Sequence, residues 1–123
     1  MKLVVIGSWH LASIYSVGLC KLEHDIILVC NQATGKQYEL GKPPVYEPNL
    51  ENEIKNFTSA RKLSFTSDLN DIPTGYEICV FAEDSKVIDS GIDIQAFMDI
   101  FNPVVESKKF KIIVISSQLP VGT

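Results

Sequence analysis

The sequence predicts a doubly wound α/β fold, a mainly parallel sheet of about five strands held between helices in three layers. Three observations carry that expectation. Short apolar runs rich in branched residues recur along the chain, and they do not alternate with polar residues, as strands covered on both faces require. Segments of helical period separate the runs, so successive strands are joined by crossovers. The 123 residues, 46% of them hydrophobic and 21% charged, suffice for one buried core and are too few for two full domains.

Leu3-Val4-Val5-Ile6 is the first strand, and Gly7 stops it. From Leu11 the period changes: Leu11, Ile14, Tyr15, Gly18, Leu19 and Leu22 fall at helical spacing, with small Ala12 and Gly18 allowing close approach to a sheet. Asp25 to Cys30 is a second strand, and two parallel strands joined by one helix predict a right-handed βαβ unit. Asn31 to Pro44 is polar and broken by Gly35, Gly41 and Pro43-Pro44, so only a short helix near Lys36 to Leu40 is expected there. Pro48 suits the first turn of a helix whose Leu50, Ile54 and Phe57 share a face, and Leu63-Ser64-Phe65 is the third strand. Ser67 or Asp68 is placed to cap a brief turn before Pro73. Ile78 to Ala82 is the fourth strand, and a loop from Glu83 to Ile92 leads to Asp93, an N-cap for a helix striped with Ile94, Phe97, Met98 and Phe101 and ended by Pro103. Lys111 to Ile115 is the fifth strand. The chain then stops after Pro120-Val121-Gly122-Thr123, where a covering helix is due, and this predicts a domain truncated at its C-terminus.

Charge and cysteine use narrow the partners. Eleven basic residues against fifteen acidic ones give a net charge of −4, a poor match for nucleic acid or an anionic membrane surface. No apolar run is long enough to cross a membrane, and the opening run is too short for a signal peptide, so a cytoplasmic protein is expected. Cys20, Cys30 and Cys79 are widely spaced within apolar segments, which reads as three reduced core thiols rather than a disulfide framework. His10 and His24 have no partners at metal-ligand spacing, and no metal site is expected.

Ligands of such folds bind beyond the carboxyl ends of the strands, which selects the loops after Ile6, Cys30, Ala82 and Ile115. Gly7-Ser8-Trp9-His10-Leu11-Ala12 stands where a dinucleotide-binding, Rossmann-like domain carries G-x-G-x-x-G/A. Gly7 matches the turn glycine and Ala12 the small third position. Trp9 does not match the middle glycine, whose missing side chain lets backbone approach a pyrophosphate. After the second strand, Cys30 and Asn31 supply no carboxylate for the adenosine ribose, although Asn31 can donate and accept hydrogen bonds. Lys36 is a candidate for a 2′-phosphate, or simply a solvated charge.

Three further stretches resemble the N-terminal NAD-binding domain of the UDP-glucose/GDP-mannose dehydrogenase family. Ser117-Gln118-Leu119-Pro120-Val121-Gly122-Thr123 is similar to the family's S-T-V-P-V-G-T, Pro44-Val45-Tyr46-Glu47-Pro48-Asn49-Leu50 to its P-I-Y-E-P-G-L, and Lys62 to Leu69 to its R-L-x-F-T-x-D-L. The resemblance spans almost the whole chain, and it implies a single NAD(P)-binding domain over residues 1–123, the N-terminal part of a longer dehydrogenase. Such enzymes oxidise the C6 hydroxyl of a nucleotide sugar to a carboxylate, with NAD as the hydride acceptor. The resemblance places the pyrophosphate at Gly7, Ser8, Trp9 and the backbone of His10 and Leu11. It places Ala82 and Ser85 beside the cofactor, and Ser117 and Gln118 toward the nicotinamide.

The departures are informative. Glu83-Asp84-Ser85-Lys86 keeps neither the glycine nor the proline of the family's V-G-T-P loop, and two carboxylates would repel a pyrophosphate, so this loop is expected to differ in shape or face away. The catalytic cysteine, lysine and asparagine of the family belong to later segments, so the chain is expected to carry no catalytic residue and to be inactive alone. Partners implied by the resemblance are a nucleotide sugar, in the full-length protein, and a second copy in a homodimer. Trp9 and His10 read either as an aromatic lid or as filling for space a weakly bound cofactor leaves. Tyr46 and Glu47 read as substrate contacts or as turn structure, and His24 as turn structure. The competing function is a degenerate Rossmann module without dinucleotide affinity, serving assembly or regulation. A hydroxyacid dehydrogenase leaves the Pro44 to Leu50 and Ser117 to Thr123 matches unexplained.

Overall fold

Strand β1 (Lys2–Ile6) lies at the middle of a five-stranded sheet in this computed structural model, which describes residues Met1–Thr123. Around it run β2 (Asp25–Val29), β3 (Leu63–Thr66), β4 (Ile78–Phe81) and a last strand, and the spatial order is β3-β2-β1-β4 followed by that strand. Every neighbouring pair is parallel; Val4, for example, stands between Ile27 and Cys79. The order reverses at β1, and the chain leaves β1 and β4 for opposite sides of the sheet, which opens a crevice at their carboxyl ends.

Helices α1 (His10–Lys21), α2 (Gln32–Glu39) and α3 (Leu50–Ser59) belong to one face, where Leu3, Val5, Ile26, Leu28 and Leu63 pack with Ala12, Val17, Tyr38 and Ile54. Val4, Ile6, Ile27, Val29, Cys79 and Phe81 turn to the other face, against α4 (Ile94–Glu106) through Phe97 and Val104. Phe81 meets the edges of Phe97 and Phe101, with centroids 5.2 and 5.1 Å apart. Both faces of β1 and β2 are therefore buried and those of β4 largely so, which is why these strands carry no polar alternation, while the edge strand β3 alternates Leu-Ser-Phe-Thr. The doubly wound α/β class is as predicted.

Several elements differ from the sequence reading. The apolar stripe of α1 does not face the sheet: Ala12, Ser13, Ser16, Val17 and Cys20 are buried, whereas Ile14 and Tyr15 are exposed and Leu22 is 68% exposed. Small side chains let the helix lie close to β1 and β2, and the larger ones stand on its flank. Gly18 therefore has no packing duty, since a Cβ there would meet nothing within 4 Å. Helix α2 begins at Gln32 instead of near Lys36, because Asn31 caps it by accepting the Thr34 amide at 2.8 Å and because Tyr38 buries against Phe65. Those gains exceed the roughly 1 kcal/mol that Gly35 costs a helix interior.

Pro48 lies outside α3, whose N-cap is Asn49 in a left-handed conformation. Asp68, rather than Ser67, caps the 3-10 turn Leu69–Asp71, accepting from the Asn70 amide. The loop after β4 contains a two-residue hairpin, β5 (Val87–Ile88) with β6 (Gly91–Ile92). Asp93 caps α4 as expected, accepting the Ala96 amide at 3.0 Å. Pro103 does not end α4; the helix runs on to Glu106 because Val104 is buried against the sheet and the Pro103 carbonyl still accepts the Ser107 amide. The last strand, β7 (Ile112–Ile115), begins one residue later than expected and forms an edge. No helix is long and apolar enough to cross a membrane. Cys20, Cys30 and Cys79 are free and buried.

Candidate cofactor site

The crevice is built around Gly7. Its amide donates to the Val29 carbonyl at 3.0 Å, and the Ala82 amide donates to the Ile6 carbonyl at 2.8 Å, so three strand ends are locked side by side. A Cβ on Gly7 would lie 2.6 Å from the Ala82 carbonyl oxygen and 2.7 Å from the Ala12 Cβ. Only glycine fits the turn from β1 into α1. Ala82 is fully buried and closes that turn from the β4 side, and Ala12 closes it from the helix.

Ser8 ties the turn to β2. Its hydroxyl accepts the Asn31 amide at 2.9 Å, and its carbonyl accepts the Thr34 hydroxyl at 3.4 Å. Trp9 is the N-cap of α1, has no side-chain capping bond, and is 54% exposed. The indole therefore leaves the turn open to side chains approaching from β4. A helix N-terminus presents unpaired amides and the positive end of the helix dipole, and both favour an anion.

Anions are present there, and they come from the chain itself. Glu83 accepts the Ser8 amide on Oε2 at 3.1 Å, and Asp84 accepts the Leu11 amide on Oδ2 at 3.2 Å. The loop after β4 was expected to differ in shape or face away from the turn; it does not face away, since both carboxylates point into the turn. The free amides explain the difference, since a partly buried N–H without an acceptor costs about 1–3 kcal/mol. Burial pushes the Glu83 carboxyl above its ordinary range, the Ser8 amide opposes that shift, and the Asp84 charge adds to it.

The remaining candidate residues divide into three groups. Ser117 joins the crevice by donating its hydroxyl to the Glu83 carbonyl at 2.6 Å, and Ser85 donates to the Gln118 carbonyl, so the loops after β4 and β7 are stitched together. The Ser8 contact brings Asn31 to the rim, although its side-chain oxygen is committed to capping α2. The His10 ring pairs with Glu47 at 2.8 Å, anchoring the Pro44 to Pro48 segment to the start of α1, while Tyr46 is 83% exposed. Lys36 stands apart, in a shallow groove with Gln32, Glu39, Phe65 and Thr66 on the outer side of α2. His24 lies at the opposite end of the sheet, where its Nδ1 is 3.0 Å from the terminal amine of Met1.

Glu83 and Asp84 entered the sequence reading only as obstacles to a phosphate. The signal that places them is their position directly after the strand beside β1, within reach of amides that no residue of the Ser8-Trp9-His10 segment caps.

A parallel sheet whose order reverses at a glycine turn, with an anion-seating helix N-terminus beyond it, defines a Rossmann-type nucleotide-cofactor domain. Residues 1–123 match throughout the model of the UDP-glucose/GDP-mannose dehydrogenase family, NAD binding domain. The chain belongs to that family. It is 25% identical over 128 residues to a UDP-glucose 6-dehydrogenase of Rhizobium meliloti, covering 100% of this chain and 29% of that protein. An uncharacterised protein of Methanocaldococcus jannaschii is 28% identical over 129 residues, with this chain spanning 14% of its length.

Among solved structures, a GDP-mannose dehydrogenase of Pseudomonas aeruginosa superposes with a TM-score of 0.89 at 19% identity, covering 100% of this chain and 30% of that one. A UDP-glucose dehydrogenase of Pyrobaculum islandicum gives a TM-score of 0.85 at 23% identity, covering 99% of this chain and 30% of that one. This chain thus spans less than a third of each of these proteins, and the structural likenesses establish the fold.

Proposed function

We propose that this chain is the cofactor-binding domain of an NAD-dependent nucleotide-sugar dehydrogenase, acting in the cytoplasm. The carrying observation is the Gly7 turn, too tight for any side chain, with the Ser8 and Leu11 amides offered to negatively charged oxygens. Those residues fit a diphosphate: Gly7 gives close backbone approach, and the start of α1 supplies donors and a favourable dipole. When bound, NAD supplies the hydride acceptor. This chain's own part is to seat the diphosphate, to position the adenosine side near Asn31, and to border the nicotinamide side with Ser117 and Gln118.

In the whole enzyme the hydride donor would be the C6 hydroxyl of a nucleotide sugar. No cysteine of this chain suits the nucleophilic part of that reaction. Burial raises Cys20 and Cys30 to about 11 and Cys79 to about 12, so all three remain thiols near neutral pH. Calorimetric titration of the folded protein with NAD and NADP tests the cofactor assignment. NAD binding is expected, and no heat at millimolar concentrations of either nucleotide contradicts the assignment.

A second reading, a Rossmann module that has lost dinucleotide affinity and serves assembly or regulation, is favoured by the two carboxylates in the crevice and by the absence of an acid at Cys30-Asn31. Tight NAD binding, or nucleotide-sugar turnover by the full-length protein, excludes it.

A further inference from the structure

We propose that Glu83 and Asp84 form an internal diphosphate mimic, occupying the amides that a dinucleotide needs, so that the cofactor enters only as the Glu83–Lys86 loop withdraws. The inference rests on the reading that the Gly7 turn is a dinucleotide site, and it concerns how access to that site is controlled.

Three features carry it. First, the contacts are specific: two adjacent carboxylates take one amide before α1 and one within its first turn, at 3.1 and 3.2 Å. Each is a charge-assisted bond of the kind a phosphate oxygen would make with the same donor. An amide proton has one good acceptor direction, so carboxylate and phosphate compete for it. Repulsion between the anions removes any state in which both are seated.

Second, the helix lacks a cap of its own. Trp9 has no side-chain oxygen at the N-cap position, so in the absence of ligand Asp84 fills that role from another loop. The occupied state is therefore the stable resting arrangement.

Third, the loop has somewhere to go. Glu83, Asp84, Ser85 and Lys86 line a cavity of about 170 Å³ together with Ala96, Phe97 and Ile100 of α4. Few bonds fix the loop in place: Ser117 to the Glu83 carbonyl, Ser85 to the Gln118 carbonyl, and the Asp93 amide to the Lys86 carbonyl at 2.8 Å. Two of these join the loop to the segment after β7, one donated by Ser117 and one accepted by Gln118, so withdrawal of the Glu83–Lys86 loop is coupled to the residues that would border the nicotinamide. The apparent affinity for dinucleotide is then the intrinsic affinity scaled by the fraction of molecules with the loop withdrawn.

The test compares the unaltered protein with Glu83→Gln/Asp84→Asn, which keeps side-chain volume and removes both charges, and with Asp84→Ala, which frees the Leu11 amide. NAD, ADP-ribose and phosphate-free adenosine are titrated into each. The expected result is NAD and ADP-ribose binding at least tenfold tighter in the double variant, tighter also in Asp84→Ala, and unchanged adenosine binding. NAD binding that is equal or weaker in both variants overturns the mimic while leaving the cofactor assignment intact. No binding of NAD or ADP-ribose to any of the three folded proteins overturns the cofactor assignment, and the mimic with it.

Discussion

Asp84 caps α1 from 73 residues further along the chain, its carboxylate accepting the Leu11 amide at 3.2 Å. The bond joins the β4 loop to α1 across the switch point of the sheet, and it gives the helix start the acceptor that Trp9 cannot provide. Replacing Asp84 with alanine should lower stability by about 0.5–2 kcal/mol, the range measured for lost N-caps. Urea unfolding of the ligand-free protein reads this out, and an unchanged midpoint would contradict the capping role. The same variant should bind NAD more tightly, so stability and affinity move in opposite directions.

Gly7 tolerates no Cβ, because the Ala82 carbonyl oxygen and the Ala12 Cβ would lie at 2.6 and 2.7 Å. Gly7→Ala should cost at least about 1–3 kcal/mol, the usual range for overpacking, and it should weaken NAD binding. Gly18→Ala is the contrasting case, an open helical position where alanine should add up to about 1 kcal/mol. Chemical denaturation of the two variants should show shifts of opposite sign.

Ser16 is buried on the sheet face of α1, and its hydroxyl has no hydrogen-bond partner. Removing an unpaired buried polar atom relieves a desolvation cost of about 1–3 kcal/mol. Ser16→Ala should therefore raise the melting temperature, and a lower one would contradict the packing of α1 described above.

The pH dependence of Glu83 has a definite sign. Its folded-state pKa is raised by burial, so ionisation is harder in the folded protein than in the unfolded chain. At neutral pH the charged carboxylate costs stability, and that cost disappears as pH falls through the raised folded value toward the ordinary one. Glu83→Gln should stabilise the protein at pH 7, with the gain shrinking on acidification. A gain that grows toward low pH would reverse the assignment.

The three thiols set the alkaline limit. Cys20 and Cys30 are pushed up to about 11 and Cys79 to about 12, against a model-compound value of 9.0. Above pH 9 the unfolded chain loses thiol protons that the fold retains, so stability falls as pH rises toward 11–12. In the native protein at pH 7, maleimide should label none of the three quickly and all of them after unfolding. Rapid native labelling would contradict their burial.

Strands β1, β2, β4 and β7 were legible as short runs of branched or aromatic apolar residues, β1 closed by Gly7, whereas β3 shows only the Leu63-Ser64-Phe65 alternation of a sheet edge. The family was legible through Pro44–Leu50 and Ser117–Thr123, which lie mostly in loops, and through Lys62–Leu69, which carries β3 and the turn that follows it. The face of α1 was not. A periodic stripe identifies an apolar side of a helix, but close packing on the sheet favoured Ser13 and Ser16 over Ile14 and Tyr15. The first turn of α2 was hidden by Gly35, because the capping bond of Asn31 and the burial of Tyr38 outweigh one unfavourable residue. The orientation of Glu83 and Asp84 required knowing which amides of the first turn lacked acceptors, and that emerges only when β1 and β4 are placed side by side.

The amide resonances of Ser8 and Leu11, followed by heteronuclear NMR as NAD is added, test the self-occupied crevice most directly. Both amides should shift, and the backbone signals of Glu83 and Asp84 should move with them and saturate at the same NAD concentration. Saturation of NAD binding with Glu83 and Asp84 unmoved, or with the Ser8 and Leu11 amides unperturbed, would contradict the account.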